Sequence, residues 1–185
     1  MPGNNTHQKI NDFVSRTRAL NGRLLNEREP WNTAVSADAI RHFCYGIGDD
    51  NPLWLDPAYA EKSRHGRLEA PPAFLTSVLY PILHGAPMDV PLSSLIVELE
   101  YRWFQPVIEG DLLLAASTQK DVFESRKRGG RRAVFIVSDT SYRNHRDELV
   151  AEATGTLMRL ERVDGEMLFD RPIHRYDPDE LERIG

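Results

Sequence analysis

The chain has 185 residues, of which 41% are hydrophobic and 28% charged, and its formal net charge is −5. That is ordinary globular usage in a length sufficient for one core, and the acidic balance argues against nucleic acid, which selects for a basic excess. No apolar run reaches bilayer-spanning length, and MPGNNTHQKINDF lacks the apolar centre of a signal peptide. The single cysteine, Cys44, excludes an intrachain disulfide and a CxxC-type metal site and points to the cytoplasm.

Residues 6 to 20 place Ile10, Phe13, Val14, Thr17 and Leu20 at helical spacing, which predicts a short amphipathic arm ended by Asn21-Gly22. Trp31, Thr33 and Val35 alternate like a short strand. Ser36 suits the cap of a helix carrying Ile40, Phe43, Cys44 and Ile47 and stopping at Gly46 or Gly48. After the loop GIGDDNPLWLD (46 to 56), a brief helix is expected from Pro57 to about Lys62. Pro72 opens a further helix through Phe74, Leu75, Val78 and Leu79, apolar nearly all round and kinked or ended by Pro81.

The second half changes period. Segments 95 to 104, 111 to 125, 131 to 144 and 149 to 162 read as long strands. Glu109-Gly110, Gly129-Gly130 and Arg146-Asp147 supply turns between them. Helices first and an antiparallel meander afterwards define an α+β chain, with one buried helix against a curved sheet. The expected organisation is an N-terminal helical arm (1–30), a globular domain (31–162) and a charged tail (163–185).

The loop and its surroundings carry the function. Tyr45 through Leu53, with Gly48, Asp49, Asn51 and Pro52 in register and Ala60 downstream, resembles the signature loop of the MaoC-like hydratases and dehydratases. Gly66 and Ala70-Pro71-Pro72-Ala73-Phe74-Leu75 resemble the turn into the central helix of that family, in its N-terminal dehydratase branch. Arg102-Trp103-Phe104-Gln105-Pro106 with Gly110-Asp111, and the final hairpin from Asn144 to Arg159, resemble later parts of the same pattern. The resemblance implies a single hot-dog fold, in which a sheet wraps a central helix. It also implies hydration or dehydration of 2-enoyl or 3-hydroxyacyl thioesters of coenzyme A or an acyl carrier protein, with no metal or redox cofactor.

One departure bears on the chemistry. Trp54 stands where active members carry the histidine that, with the aspartate, activates water. Imidazole exchanges protons near neutral pH and indole does not. Asp49 and Asn51 are the candidate catalytic pair, with His65 as a substitute base, although Asp49 and Asn51 also suit a capped turn and His65 a surface loop. Trp54, Pro72, Ala73 and Phe74 are candidate substrate-binding residues, through a helix N-terminus that polarises the thioester carbonyl. Trp54 alternatively fills the former catalytic pocket. Tyr80, Leu83 and Trp103 are candidates for lining the acyl tunnel. Arg126, Arg128 and Arg131, at a Gly-Gly hairpin tip, are candidates for a coenzyme A phosphate or simply a solvated turn.

Three functions fit: a hydro-lyase; a non-catalytic subunit whose hot-dog partner supplies the Asp–His pair; and a hot-dog thioesterase. The tail from His174 to Ile184 resembles the linker between halves of fused members, which implies a split half. An uncovered sheet edge further implies a homodimer or heteromer.

Overall fold

The computed structural model describes residues 3–25, 30–82, 90–127 and 129–162; the expected tail, Leu83 and Arg128 lie outside them. In chain order they form α1 (Gly3–Arg18), α2 (Ala37–Ile47), α3 (Pro52–Leu55), α4 (Pro57–Ala60), β1 (Glu69–Ala70), a 3-10 turn (Pro72–Phe74), α5 (Leu75–Val78), β2 (Leu92–Trp103), β3 (Val107–Ile108), β4 (Leu113–Arg126), β5 (Arg132–Asn144) and β6 (Leu149–Glu161). None of the described helices is long and apolar enough to cross a membrane.

The four long strands pair antiparallel in the order β2-β6-β5-β4. Their alternation sets the register, because a one-residue slip would turn Ile136, Ser138, Thr140 and Tyr142 from the buried face to the outer one. The described helices cover only that buried face.

Two apolar clusters fill it. The larger joins Val35, Ile40, Cys44, Ala60, Phe74, Leu75 and Val78 to Leu113, Ala115, Tyr142 and Ala151. The smaller lies under α1, where Ile10, Phe13 and Val14 pack on Leu92, Val122, Val134 and Ile136. Between them runs a buried polar belt, in which the Ser117 and Thr140 hydroxyls are 2.6 Å apart and Gln119 donates to the Thr17 carbonyl and Asn21. Each member has a partner, as burial of polar groups demands.

Three local expectations change. Trp31–Val35 is not a strand: Asn32 has φ 45°, and its neighbours bond separately, Trp31 N–H to the Val78 carbonyl and Val35 N–H to that of Asp111. A turn of helix forms over Pro52–Leu55, capped by Asn51, inside the segment read as a loop. The central helix is cut short, for Leu79 is already extended (φ −149°, ψ 121°) two residues before Pro81. Pro81 then lies flat on the sheet, its carbonyl accepting from the Ser138 hydroxyl at 2.8 Å.

Candidate functional site

Local capping builds the signature loop. Ser36 caps α2 by accepting from the Ala39 N–H, and Gly48 ends that helix in the left-handed region at φ 73°. The chain then reverses at Asp49, whose N–H still donates to the Cys44 carbonyl at 3.0 Å. Asn51 accepts from the Leu53 N–H at 3.0 Å and Asp56 from those of Ala58 and Tyr59, so α3 and α4 follow as two capped turns.

Both carboxylate oxygens of Asp49 are engaged from within the loop. Oδ1 accepts from the Asn51 N–H at 3.1 Å and Oδ2 from Trp54 Nε1 at 3.1 Å. Trp54 is half-buried and packs on the main core. Its indole N–H therefore takes up one acceptor position on Oδ2. Burial, and then the Asp49 charge, pushes the Cys44 thiol up, so the thiol beside the loop is no ready nucleophile.

His65 is half-buried in the turn after α4 and makes no hydrogen bond or ion pair among the described residues. The structure brings Trp54, not His65, to Asp49. Asn51 serves as a helix cap, its side-chain oxygen spent on the Leu53 N–H.

The turn at Pro72 is poor in donors. Pro71 and Pro72 have no N–H, and the Phe74 N–H is spent on the Pro71 carbonyl at 2.8 Å. Among the described residues only the Ala73 N–H is left without a partner at this end, fewer donors than an oxyanion-binding helix start would offer. Pro72 and Ala73 are exposed. Phe74, expected at the substrate, is instead a core residue with no exposed surface, meeting Phe43 edge to face at 5.5 Å. The tight 3-10 turn rotates its side chain inward.

An aromatic row borders this turn. Trp103 Nε1 donates to the Pro72 carbonyl at 3.2 Å, Trp103 stacks on Tyr101 at 5.3 Å, and Tyr101 stacks on Tyr142 at 6.4 Å. The rings meet across β6 because Ala151 and Ala153 stand between them in register. The Tyr142 hydroxyl donates to the Leu79 carbonyl, while the buried Tyr101 hydroxyl has no partner within hydrogen-bond geometry among the described residues. Burial raises Tyr101 to about 12 and pushes Tyr142 further up. The available signal for this row was the spacing of Tyr101, Tyr142, Ala151 and Ala153, legible only once register is known.

The arginine hairpin lies elsewhere. Arg126 donates to the Gly130 carbonyl at 3.1 Å, and Arg131 to that of Glu161 at 2.8 and 2.6 Å. The β4–β5 ladder runs from Arg126↔Arg132 to Leu113↔Asn144, a strand length of about 40 Å. The Asp49 loop packs at the Leu113 end, so the fold does not bring the two together.

Comparisons with known proteins agree with this architecture. Residues 22–153 match the family described as FAS1-like, dehydratase domain region. A UPF0336 protein of Parafrankia sp. is 35% identical over 130 residues, covering 67% of this chain and 82% of the relative. A probable enoyl-CoA hydratase alpha subunit of Thermomonospora curvata is 23% identical over 179 residues, covering 87% of this chain but only 56% of the relative. Among solved structures, the ChsH1–ChsH2 complex from Mycobacterium tuberculosis superposes with a TM-score of 0.61 at 22% identity, covering 85% of this chain and 99% of the matched one. The chain belongs to the MaoC-like, FAS1-type dehydratase family and has its α+β hot-dog fold.

Proposed function

We infer that this chain is the non-catalytic half of a two-chain, cytoplasmic hydratase or dehydratase acting on 2-enoyl or 3-hydroxyacyl thioesters of coenzyme A or an acyl carrier protein. The observation that carries this is the hydrogen bond from Trp54 Nε1 to Asp49 Oδ2. Addition of water to an enoyl thioester needs a base to take a proton from water and an acid to return one to the α-carbon. Here the carboxylate is held by an indole and a backbone N–H, and the neighbouring turn offers one free donor to a developing enolate oxygen. A second hot-dog chain with an intact Asp–His pair would supply the chemistry, with this chain acting as scaffold. The similarity to an alpha subunit and to a chain of a two-component complex supports the reading.

The test follows the enoyl absorbance of crotonyl-CoA and of bulkier enoyl-CoAs, with the purified chain alone and with a second hot-dog chain that carries the Asp–His loop. Background turnover alone and activity in the mixture are expected. Turnover by this chain alone that vanishes in Asp49→Asn would overturn the reading.

A further inference from the structure

Arg159 is a buried cation with no part in the chemistry of the Asp49 loop. It stands on β6, on the face of the sheet that α1 covers, and only 6% of its surface is exposed. Its guanidinium lies 5.8 Å from the centre of the Phe13 ring, whose face offsets part of the lost hydration. An arginine does not shed its charge at physiological pH, so burying one without an anion is costly.

The described residues supply no such anion. Glu161, next along the same face of β6, spends Oε2 on the Arg132 N–H at 2.9 Å. Asp12, beside Phe13 on α1, accepts from Gln8 at 2.8 Å. Arg159 makes no ion pair among the described residues, and its one hydrogen bond there runs from Nη1 to the Ser94 hydroxyl. The opposite edge of the guanidinium is free: Nε is buried without a partner, and Nη2 makes no hydrogen bond among the described residues. Nε and Nη2 together form the parallel fork that grips a carboxylate or a phosphate with two hydrogen bonds.

A second cation stands nearby. Arg162, exposed just past the end of β6, donates from Nη2 to the Leu92 carbonyl at 3.3 Å. Leu92 and Ser94 are two residues apart on β2, so the two guanidiniums are anchored to acceptors about 7 Å apart along the strand. Burial, and then the Arg162 charge, loosens the hold of Arg159 on its proton. Two cations kept together without a carboxylate suit a doubly charged ligand better than a singly charged one. Ser94 is exposed, which opens the place to solvent, and its hydroxyl retains a proton to donate. The place is separate from the signature loop. Arg159 pairs with Val134, ten residues along β5 from Asn144, a strand length of about 30 Å from the end where the Asp49 loop packs.

We propose that Arg159, Arg162 and the Ser94 hydroxyl form a binding site for a phosphate dianion, either the free ion or the phosphomonoester of a small molecule.

Calorimetric titration in phosphate-free buffer at low, constant ionic strength tests it, with inorganic phosphate, coenzyme A and dephospho-coenzyme A as the probes. The wild-type chain should bind phosphate, or should bind coenzyme A in preference to the form lacking the 3′-phosphate. Arg159→Met should weaken that same binding at least about tenfold. Binding of inorganic phosphate supports the free ion as ligand, and a preference for coenzyme A without phosphate binding supports the ester. A wild-type chain that binds neither in this way, or an affinity unchanged in Arg159→Met, overturns the site. Should Arg159→Met fail to fold, Arg162→Gln at an exposed position decides instead. An affinity about threefold weaker supports the site, and an unchanged one overturns it.

Discussion

Trp54 and Asp49 stand five residues apart in the chain and are joined by a 3.1 Å hydrogen bond from the indole Nε1 to Oδ2. The bond exists because α3 is a single capped turn that swings Trp54 back over Asp49, two residues before the Asn51 cap. In this loop the carboxylate organises the backbone.

Replacing Asp49 by Asn therefore acts on stability before chemistry. The amide keeps one acceptor and loses the other, so the urea midpoint should fall by the equivalent of about 1 kcal/mol. Activity of the two-chain assembly should stay within about threefold of wild type, against the 10²-fold or greater loss expected of an acid–base residue. Trp54→Phe, which removes the donor and keeps the ring, should produce a stability loss of similar size.

Restoring chemistry to this loop needs two changes. Trp54→His frees Oδ2 and supplies an imidazole, but the turn still has only the Ala73 N–H to offer. The single variant should remain within about tenfold of background with crotonyl-CoA, since each missing oxyanion donor costs on the order of 10²–10³ in rate. Adding Pro72→Gly, which returns an N–H at an exposed position, should raise turnover above the single variant.

Gly155 is required by its neighbour. A Cβ at this position would lie 2.0 Å from the Pro81 carbonyl oxygen and 2.7 Å from Ile82 Cδ1. Gly155→Ala must push the Pro81 segment off the sheet and loosen the Ser138–Pro81 hydrogen bond. A loss of about 2–3 kcal/mol in chemical denaturation is expected.

The tyrosine pair predicts an alkaline limb. Tyr101 titrates near 10 when unfolded and is raised to about 12 in the fold, so the folded state holds its proton more tightly. The stability linked to it is complete below about pH 10 and is lost as pH rises towards 12. Urea midpoints at intervals from pH 8 to 12 should fall only above about 10, and Tyr101→Phe should flatten that fall. Tyr142→Phe removes the donor to the Leu79 carbonyl and should cost about 1–2 kcal/mol at neutral pH.

The four long strands were legible in the sequence to within three residues at either end, because a half-buried strand must alternate and this alternation has no rival reading over twelve to fourteen positions. The loop around Asp49 was legible as a family motif, and the absence of its imidazole showed from Trp54 alone. The shortened central helix was less so. Pro81 predicts an end, but the stop before it comes from Leu79 turning to meet Tyr142, a residue 63 positions away. Trp31–Val35 alternates like a strand yet has no continuous neighbour to pair with, since its carbonyls and N–H groups are divided between the Asp111 turn and the end of α5.

What the sequence determined by itself, then, is what depends on near neighbours: element type, caps and the chemistry that each side chain can offer. The tertiary structure decided what depends on distance in space. It placed the indole on the aspartate, left His65 without a partner among the described residues, and set the arginine hairpin a strand's length from the loop. It also closed one sheet edge and left the other without a neighbouring strand among the described residues. The physical reason is that periodicity and capping act over a few residues of chain, whereas hydrogen bonds between distant groups and the covering of an edge follow only from how the strands are ordered.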